Sequence, residues 1–563
     1  MSRFTQSGPH TASAGNRPGA IPHALAALDG WTLAALALAA MAAVPIVTIL
    51  VKAPSGGFEA IAHLAQTVLA RYVMNTLALL LIAGGIATLL GAGCAWLVSA
   101  ARFPGRSVLA WALVLPLAVP AYIAAYVYAD LLDFTGPVQS GLRGLTGWSF
   151  GDYWFPQIRS LAGGGFVLGI VLYPYVYLLA RGAFATQSQS QFRAARSLGA
   201  RPSRAFWRVA LPAARPAIFG GLALVLMEVL ADFGVAQYFA IPTFSTGIFR
   251  SWLAMGDKQA ALKLAAMMLV FVVGLIIWEA RTRAGRTDSK DGLGRGDREP
   301  LIELSATGQM LAMLACLVPV LLGFLVPAMH LASLAVGDRA IAAIGDLWTY
   351  ASGSLWLGLG TAIVCLITAL VLAFAKARSS SRVASAAIRV STLGYALPGA
   401  LLAVGLLAPL GALDISITGF ARDKFGYSGG LLLTGTSAIL IYALSVRFLT
   451  VAFNAVDGGL SKIPPSLDAA ARSLGAKPAR VLTRIYAPLL SPSLATAAAL
   501  VLIDTLRELP ATLILRPFNL ETLATRTYRL ASDERLVEAS IPALILLAVG
   551  LLPVLLLTRT GKR

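Results

Sequence analysis

Charge is what this sequence has least of. Only 13% of its 563 residues are charged, half the ~25% of a soluble domain. That excludes an ordinary solvated surface. With 58% hydrophobic residues and a mean hydropathy of +0.77, the chain reads as a membrane protein. Acidic residues are scarce even within this small set, 26 against 45 Lys and Arg, for a net charge of +19. The excess lies in short loops between apolar runs, as the positive-inside rule requires, so nucleic acid is not an expected partner. Cysteine is nearly absent. Cys94, Cys316 and Cys365 each lie in an apolar run without partner spacing and read as small core residues, not as a disulfide or metal framework. The histidines, His10, His23, His63 and His330, do not cluster. No G-x-x-x-x-G-K-[ST] phosphate loop is present.

What the chain has instead is long apolar runs and one stretch written twice. Residues 195–212 read ARSLGARPSRAFWRVALP and residues 471–488 read ARSLGAKPARVLTRIYAP, at a constant offset of 276. A repeat of this length sets the architecture. Residues 1–28, rich in Gly, Ser, Pro and Ala, read as a disordered cytoplasmic leader. Apolar runs follow at about 31–51, 73–100, 107–131, 161–180, 217–238 and 261–280. A polar linker, 281–304, comes next, and then runs at about 306–335, 353–375, 388–412, 430–450, 493–514 and 538–558. Each run approaches the ~20 residues that cross a bilayer. The expected fold is therefore an all-α polytopic membrane protein with about 12 transmembrane helices in two homologous six-helix halves, 29–280 and 305–563. Both termini, the linker and both repeated loops fall on one basic, cytoplasmic side. The semi-polar segment 239–262 reads as a re-entrant or surface helix.

Each repeated loop is too polar to enter lipid and too regular to be a tether. Gly199 and Gly475 suit a bend between two short helices. Pro202 and Pro478 suit the first turn of the second helix, and Pro212 and Pro488 the entry to the next span. Leu198 and Phe206, like Leu474 and Leu482, give the short helices an apolar face that calls for a protein partner.

These stretches resemble the "EAA" loop of type I, binding-protein-dependent ABC importer permeases: E-A-A, three residues, Gly, then a run ending in Ile-x-Leu-Pro. Ala194, Ala195 and Gly199 follow the pattern in the first half, with Leu211 and Pro212 at its end; Ala470, Ala471 and Gly475, with Pro488, follow it in the second; Arg196 and Arg472 belong to the same two loops. The glutamate is missing, since Arg193 and Ala469 hold its place and Asp468 lies one residue earlier. The resemblance implies coupling helices that fit two copies of a cytoplasmic ATPase, on which ATP and Mg would bind. This chain would bind no cofactor and perform no catalysis itself. Farther on, 231–252 and 504–532 resemble the fused, two-half permeases of ferric-iron importers. That implies an inner-membrane subunit that receives iron from a periplasmic iron-binding protein. Permeases for thiamine, phosphonates and polyamines have related sequences.

The 276 offset also pairs acids inside apolar runs: Glu228 with Asp504, and Asp232 with Glu508. It continues, on the sequence, through Thr246 and Thr522, Arg250 and Arg526, and Asp257 and Asp533. Glu228 lies roughly 16 Å along a helix begun at Ala217, near mid-bilayer. Asp232 follows one turn later on the same face. Ionisable groups at that depth face a bundle interior or a wet cavity. Two readings stand side by side. The four acids line a translocation route for a hard cation that prefers oxygen ligands, or they pair with Arg507 and hydrogen-bond backbone opened at Gly234 or Pro510. An ion-coupled carrier would also use repeats and buried acids, but it gives no reason for a duplicated docking loop.

Overall fold

The computed structural model describes residues 29–55, 65–149, 151–186, 204, 206–284, 302–379, 381–476 and 478–560. The expected leader, most of the linker, and Ala194, Ala195, Arg196, Gly199 and Pro202 lie outside the described residues.

Apart from a two-residue parallel pairing of Ala101–Arg102 with Ile302–Glu303, the described structure is helical. Asp29 opens the first helix, α1 (Gly30–Lys52), by accepting from the Thr32 N–H at 2.9 Å, which satisfies one of the amides a helix start leaves bare. There follow α2 (Ala70–Ala100), α3 (Arg106–Ala112), α4 (Ala121–Leu132), α5 (Leu161–Thr186), α6 (Leu211–Ala231), α7 (Gly234–Tyr238), α8 (Phe244–Phe249) and α9 (Lys258–Ala284). The second half contains α10 (Ala306–Val320), α11 (Val326–Ala335), α12 (Leu347–Arg378), α13 (Arg382–Ser391), α14 (Gly399–Phe425) and α15 (Ser437–Leu460). It closes with α16 (Pro465–Ser473), α17 (Ser491–Arg507), α18 (Pro510–Leu515), α19 (Leu523–Ser532) and α20 (Leu536–Thr560).

Among the described residues ten helices are long and apolar enough to cross a membrane, or twelve if two bent pairs each count as one span. The run 107–131 turns by 92° between Ala118 and Ala121. Pro120, which donates no amide hydrogen, sits there as the N-cap of α4. Its counterpart 388–412 breaks into α13 and α14 at Pro398. The second bent pair, Thr483–Leu489 with Ser491–Arg507, turns by 63°.

Each half is built on three mutually packed helices, α2, α5 and α6 in one and α12, α15 and α17 in the other. The start of α5 and the start of α15 are 276 residues apart, as are those of α7 and α18. The first helices do not stay at home. α1 packs on α12, α13 and α14 of the other half. α10 and α11 reach back to α2, α3 and α4, and also lie against α20. At the first of these crossings Gly405 admits the α1 backbone: a Cβ there would stand 2.6 Å from the Pro45 carbonyl oxygen. Small residues at a helix crossing give dispersion contact where lipid offers no hydrophobic drive. At the reciprocal crossing Cys94 of α2 donates to the carbonyl of Ala315, beside buried Cys316. The segment 239–262 holds the short helix α8, whose Phe244 and Ile248 are buried against α9 and α14, so that this part is internal, whereas residues 253–258 are exposed.

Candidate functional site

Two helices stop inside the apolar layer and restart at once. α6 ends at Ala231, Asp232 is extended, and α7 begins at Gly234. α17 ends at Arg507, Glu508 is extended, and α18 begins at Pro510. A restarting helix leaves amides without partners, and a bilayer core has no water to satisfy them. The carboxylates do so. Asp232 accepts from Val235 N–H at 3.4 Å and Ala236 N–H at 3.0 Å. Glu508 accepts from Ala511 N–H at 3.0 Å, Thr512 N–H at 3.0 Å and the Thr512 hydroxyl at 2.8 Å. Asp232 and Glu508 therefore act on the backbone opened at Gly234 and Pro510.

Glu508 has one more partner. Arg447 of α15 donates to its Oε1 at 3.1 Å, and the two side chains are 12% and 2% exposed. The pair lies on Gly399, where a Cβ would meet Glu508 Oε1 at 2.6 Å and Arg447 Nη1 at 2.7 Å. Any larger residue at 399 would push the ion pair apart.

All four acids named from the sequence line one cavity of about 180 Å3, formed by both halves. Leu117, Leu168, Val171 and Leu172 make part of its apolar wall. Glu228 accepts from the Tyr395 hydroxyl at 3.2 Å. Tyr175 neighbours Tyr395, and both lie in the field of Glu228 and Asp504. Asp504 lies in the fields of Arg507 and Arg447. The Nε atoms of Arg447 and Arg507 and the hydroxyl of Tyr122, all on the cavity wall, are buried without a hydrogen-bond partner. Among the described residues no three His, Cys, Asp or Glu side chains come together in a set that could hold a metal ion.

Arg447, Tyr175, Tyr395 and Tyr122 were not singled out by the sequence. Arg447 had a signal, as the one basic residue in the apolar run of α15. The tyrosines had none, because an isolated Tyr in an apolar run is ordinary packing material.

The second repeated stretch is largely visible. Ala470 and Ala471 lie in α16, with Arg472. Gly475 has φ +73, and the Ala476 N–H reaches the Ala471 carbonyl at 3.0 Å. This is the 6→1 bond of a Schellman ending, which places a left-handed residue, usually glycine, where Gly475 stands. Pro478 begins the next short helix, Pro478–Val481. Leu474 is 87% exposed beside the bend. Both copies then pass through a π-turn, Phe206–Ala210 and Leu482–Tyr486, and Pro212 and Pro488 each stand in the first turn of the helix that follows.

Beyond the cavity the register of the repeat changes, which corrects the ungapped pairing read from the sequence. α8 is opened by a capping box of Thr243 and Thr246, and α19 by one of Thr522 and Thr525. The counterpart of Thr246 is thus Thr525, not Thr522, and the pairings of Arg250 with Arg526 and Asp257 with Asp533 fall with it. The connection from Glu508 to Thr522 is three residues longer than that from Asp232 to Thr243. The first half then regains one residue in the π-turn Arg250–Ala254.

The profile of the family "Binding-protein-dependent transport system inner membrane component" matches the chain twice, over residues 87–280 and 366–560. An Fe(3+)-transport system permease protein of Haemophilus influenzae is 24% identical over 527 residues, covering 92% of this chain and 95% of its own. A sulfate transport system permease of Synechocystis is 27% identical over 36% of this chain and 69% of its own length. A putative 2-aminoethylphosphonate transport system permease of Salmonella typhimurium is 32% identical over 24% of this chain and 51% of its own. The profile leaves out α1, α10 and α11, the helices that cross between halves.

Proposed function

Because the chain belongs to the family of binding-protein-dependent transport system inner membrane components, we propose that it is the permease of an ATP-driven importer of ferric iron. The carrying observation is extent. The Fe(3+)-transport relative aligns along nearly all of both chains, whereas the sulfate and phosphonate relatives each align with less than half of this one. The site chemistry agrees. A cavity lined by four carboxylates and three tyrosines offers oxygen donors, which a hard trivalent cation prefers.

In this reading a soluble iron-binding protein delivers the ion to the outer face of the bacterial inner membrane. Two copies of a separate ATPase bind ATP and Mg at the cytoplasmic face. Their closure presses on the two repeated loops, around Ala194, Ala195, Arg196, Gly199 and Pro202 in one half and Ala470, Ala471, Arg472, Gly475 and Pro478 in the other. Both termini lie in the cytoplasm. The halves move against each other about the cavity, and the ion passes Glu228 and Asp504. Asp232 contributes negative field, and Asp232 and Glu508 both hold the broken helices together.

Arg447 and Arg507 favour a second reading, an oxyanion substrate such as sulfate or a phosphonate. Uptake into cells lacking their own ferric permease separates the two. Expression with its ATPase and binding protein should restore ferric iron uptake and not sulfate uptake, and neutralising Glu228 and Asp504 together should abolish it. Restored sulfate or phosphonate uptake without iron uptake would overturn the ferric reading.

A further inference from the structure

The cavity is not symmetric in charge, although the backbone around it is. Asp504 and Glu508 lie with Arg507 and Arg447. At the 276 offset those arginines correspond to Ala231 and Val171 in the first half, and both of these line the same cavity. Asp232 is engaged by two backbone amides. Glu228 is left as the acid with no arginine from its own half, and the group that touches it is a phenol of the other half, Tyr395 at 3.2 Å. Tyr175, on the first half's α5, stands beside Tyr395. Their counterparts are Val451 for Tyr175 and, in the stretch aligned on Pro120 and Pro398, Leu117 for Tyr395. The phenols are thus present once each, with Tyr395 on Glu228 and Tyr175 beside Tyr395, both in the fields of Glu228 and Asp504. A third tyrosine on the wall, Tyr122, buries an unpartnered hydroxyl.

The geometry points to Glu228, Tyr175 and Tyr395 as a transit site for a trivalent hard cation, assembled from both halves. The inference rests on the ferric reading above and names the ligands. Two phenols that each release a proton to cavity water on coordination, together with one carboxylate, carry three negative charges and neutralise a trivalent ion. Neutral complexes suit a cavity with apolar walls, because an uncompensated ion there is costly. Arg507 and Arg447, whose fields also reach Tyr175 and Tyr395, offset Asp504 and Glu508. This keeps the site from holding the ion too tightly to let it leave, the condition any conduction site must meet.

The test uses the full-length permease in lipid nanodiscs with ferric nitrilotriacetate as probe. Ferric iron on tyrosinate gives a visible charge-transfer band. The wild type should show it, each of Tyr175→Phe and Tyr395→Phe should weaken it, and the double variant should lose it. Tyr442→Phe, whose hydroxyl bonds the Met41 carbonyl outside the cavity, should match the wild type. In cells, each cavity variant should lower ferric uptake by about 10-fold, the scale on which metal sites respond to loss of a supporting group. A band that persists in the double variant, or no band in the wild type, overturns the site. So does ferric uptake that is equal in wild type and double variant, and that result leaves the ferric reading standing. Absence of ferric uptake by the wild type itself sinks the reading instead. Membrane yield equal to that of Tyr442→Phe shows that a loss is not misfolding; if the double variant fails this check, the two single variants decide.

Discussion

The two broken helices solve one backbone problem with different chemistry. In the first half Asp232 satisfies two amides of α7, and no arginine is near it in α5, where Val171 stands. In the second half Glu508 satisfies two amides and a hydroxyl of α18 and also holds Arg447. The shared part is obligatory, because any helix interrupted in lipid must satisfy its amides internally. The unshared part is free to differ. It leaves the first half a net source of negative charge and makes the second half electrically balanced. Duplication fixed the frame, and the halves diverged where the frame did not constrain them.

Stability is where that contrast should show most. Removing one partner of a buried pair leaves the other charge uncompensated, at a cost of 3–5 kcal/mol. Glu508→Gln should therefore destabilise the permease by about 3 kcal/mol or more. Asp232→Ala removes only a cap and should cost about 1 kcal/mol. Apparent melting temperatures in nanodiscs, taken at one scan rate, measure both; equal shifts would erase the distinction between the halves. Adding Arg447→Met to Glu508→Gln should recover most of the loss, since removing both charges leaves none stranded. No recovery would mean that capping, not the ion pair, dominates at Glu508.

Transport should show the same contrast from the other side. Glu228→Gln, which removes an acid with no arginine from its own half, should lower ferric uptake more than Asp504→Asn, whose charge Arg507 already balances in part. An equal or reversed order would make the cavity symmetric in function despite its asymmetry in charge.

How much of this could be read from the sequence differs from residue to residue. The apolar runs and the duplicated loop were visible because hydropathy and self-similarity are local properties. The convergence of Glu228, Asp232, Asp504 and Glu508 followed from their shared offset. Their division of labour did not. A carboxylate inside an apolar run looks the same whether it faces a route or caps a helix. The clue, Asp232 two residues before Gly234 and Glu508 two before Pro510, is one that caps and turns share. The exchange of α1 and α10 between halves was invisible, because apolarity says that a helix is buried and nothing about its neighbour. The three-residue lengthening before Thr522 was missed because Thr246 happens to stand 276 residues before it; only the capping boxes show which threonines correspond.

The repeated loop gives the smallest expected effect on stability and a sharp one on coupling. Gly475 sits at φ +73 with open space where a Cβ would go, so Gly475→Ala should cost only the left-handed backbone penalty, about 1 kcal/mol. Leu474→Ser should cost less still, within about 0.5 kcal/mol, because an exposed side chain has little packing to lose. An apolar residue 87% exposed at a helix end is nevertheless what a docking cleft would cover. If the loop transmits the ATPase stroke, Leu474→Ser should leave melting unchanged while ferric uptake and permease-stimulated ATP hydrolysis fall together. A fall in uptake with hydrolysis intact would place the defect after docking. No change in either would mean that the first half's loop, with Leu198 in the equivalent position, carries the coupling alone, and the two halves would then differ at the motor as they do at the cavity.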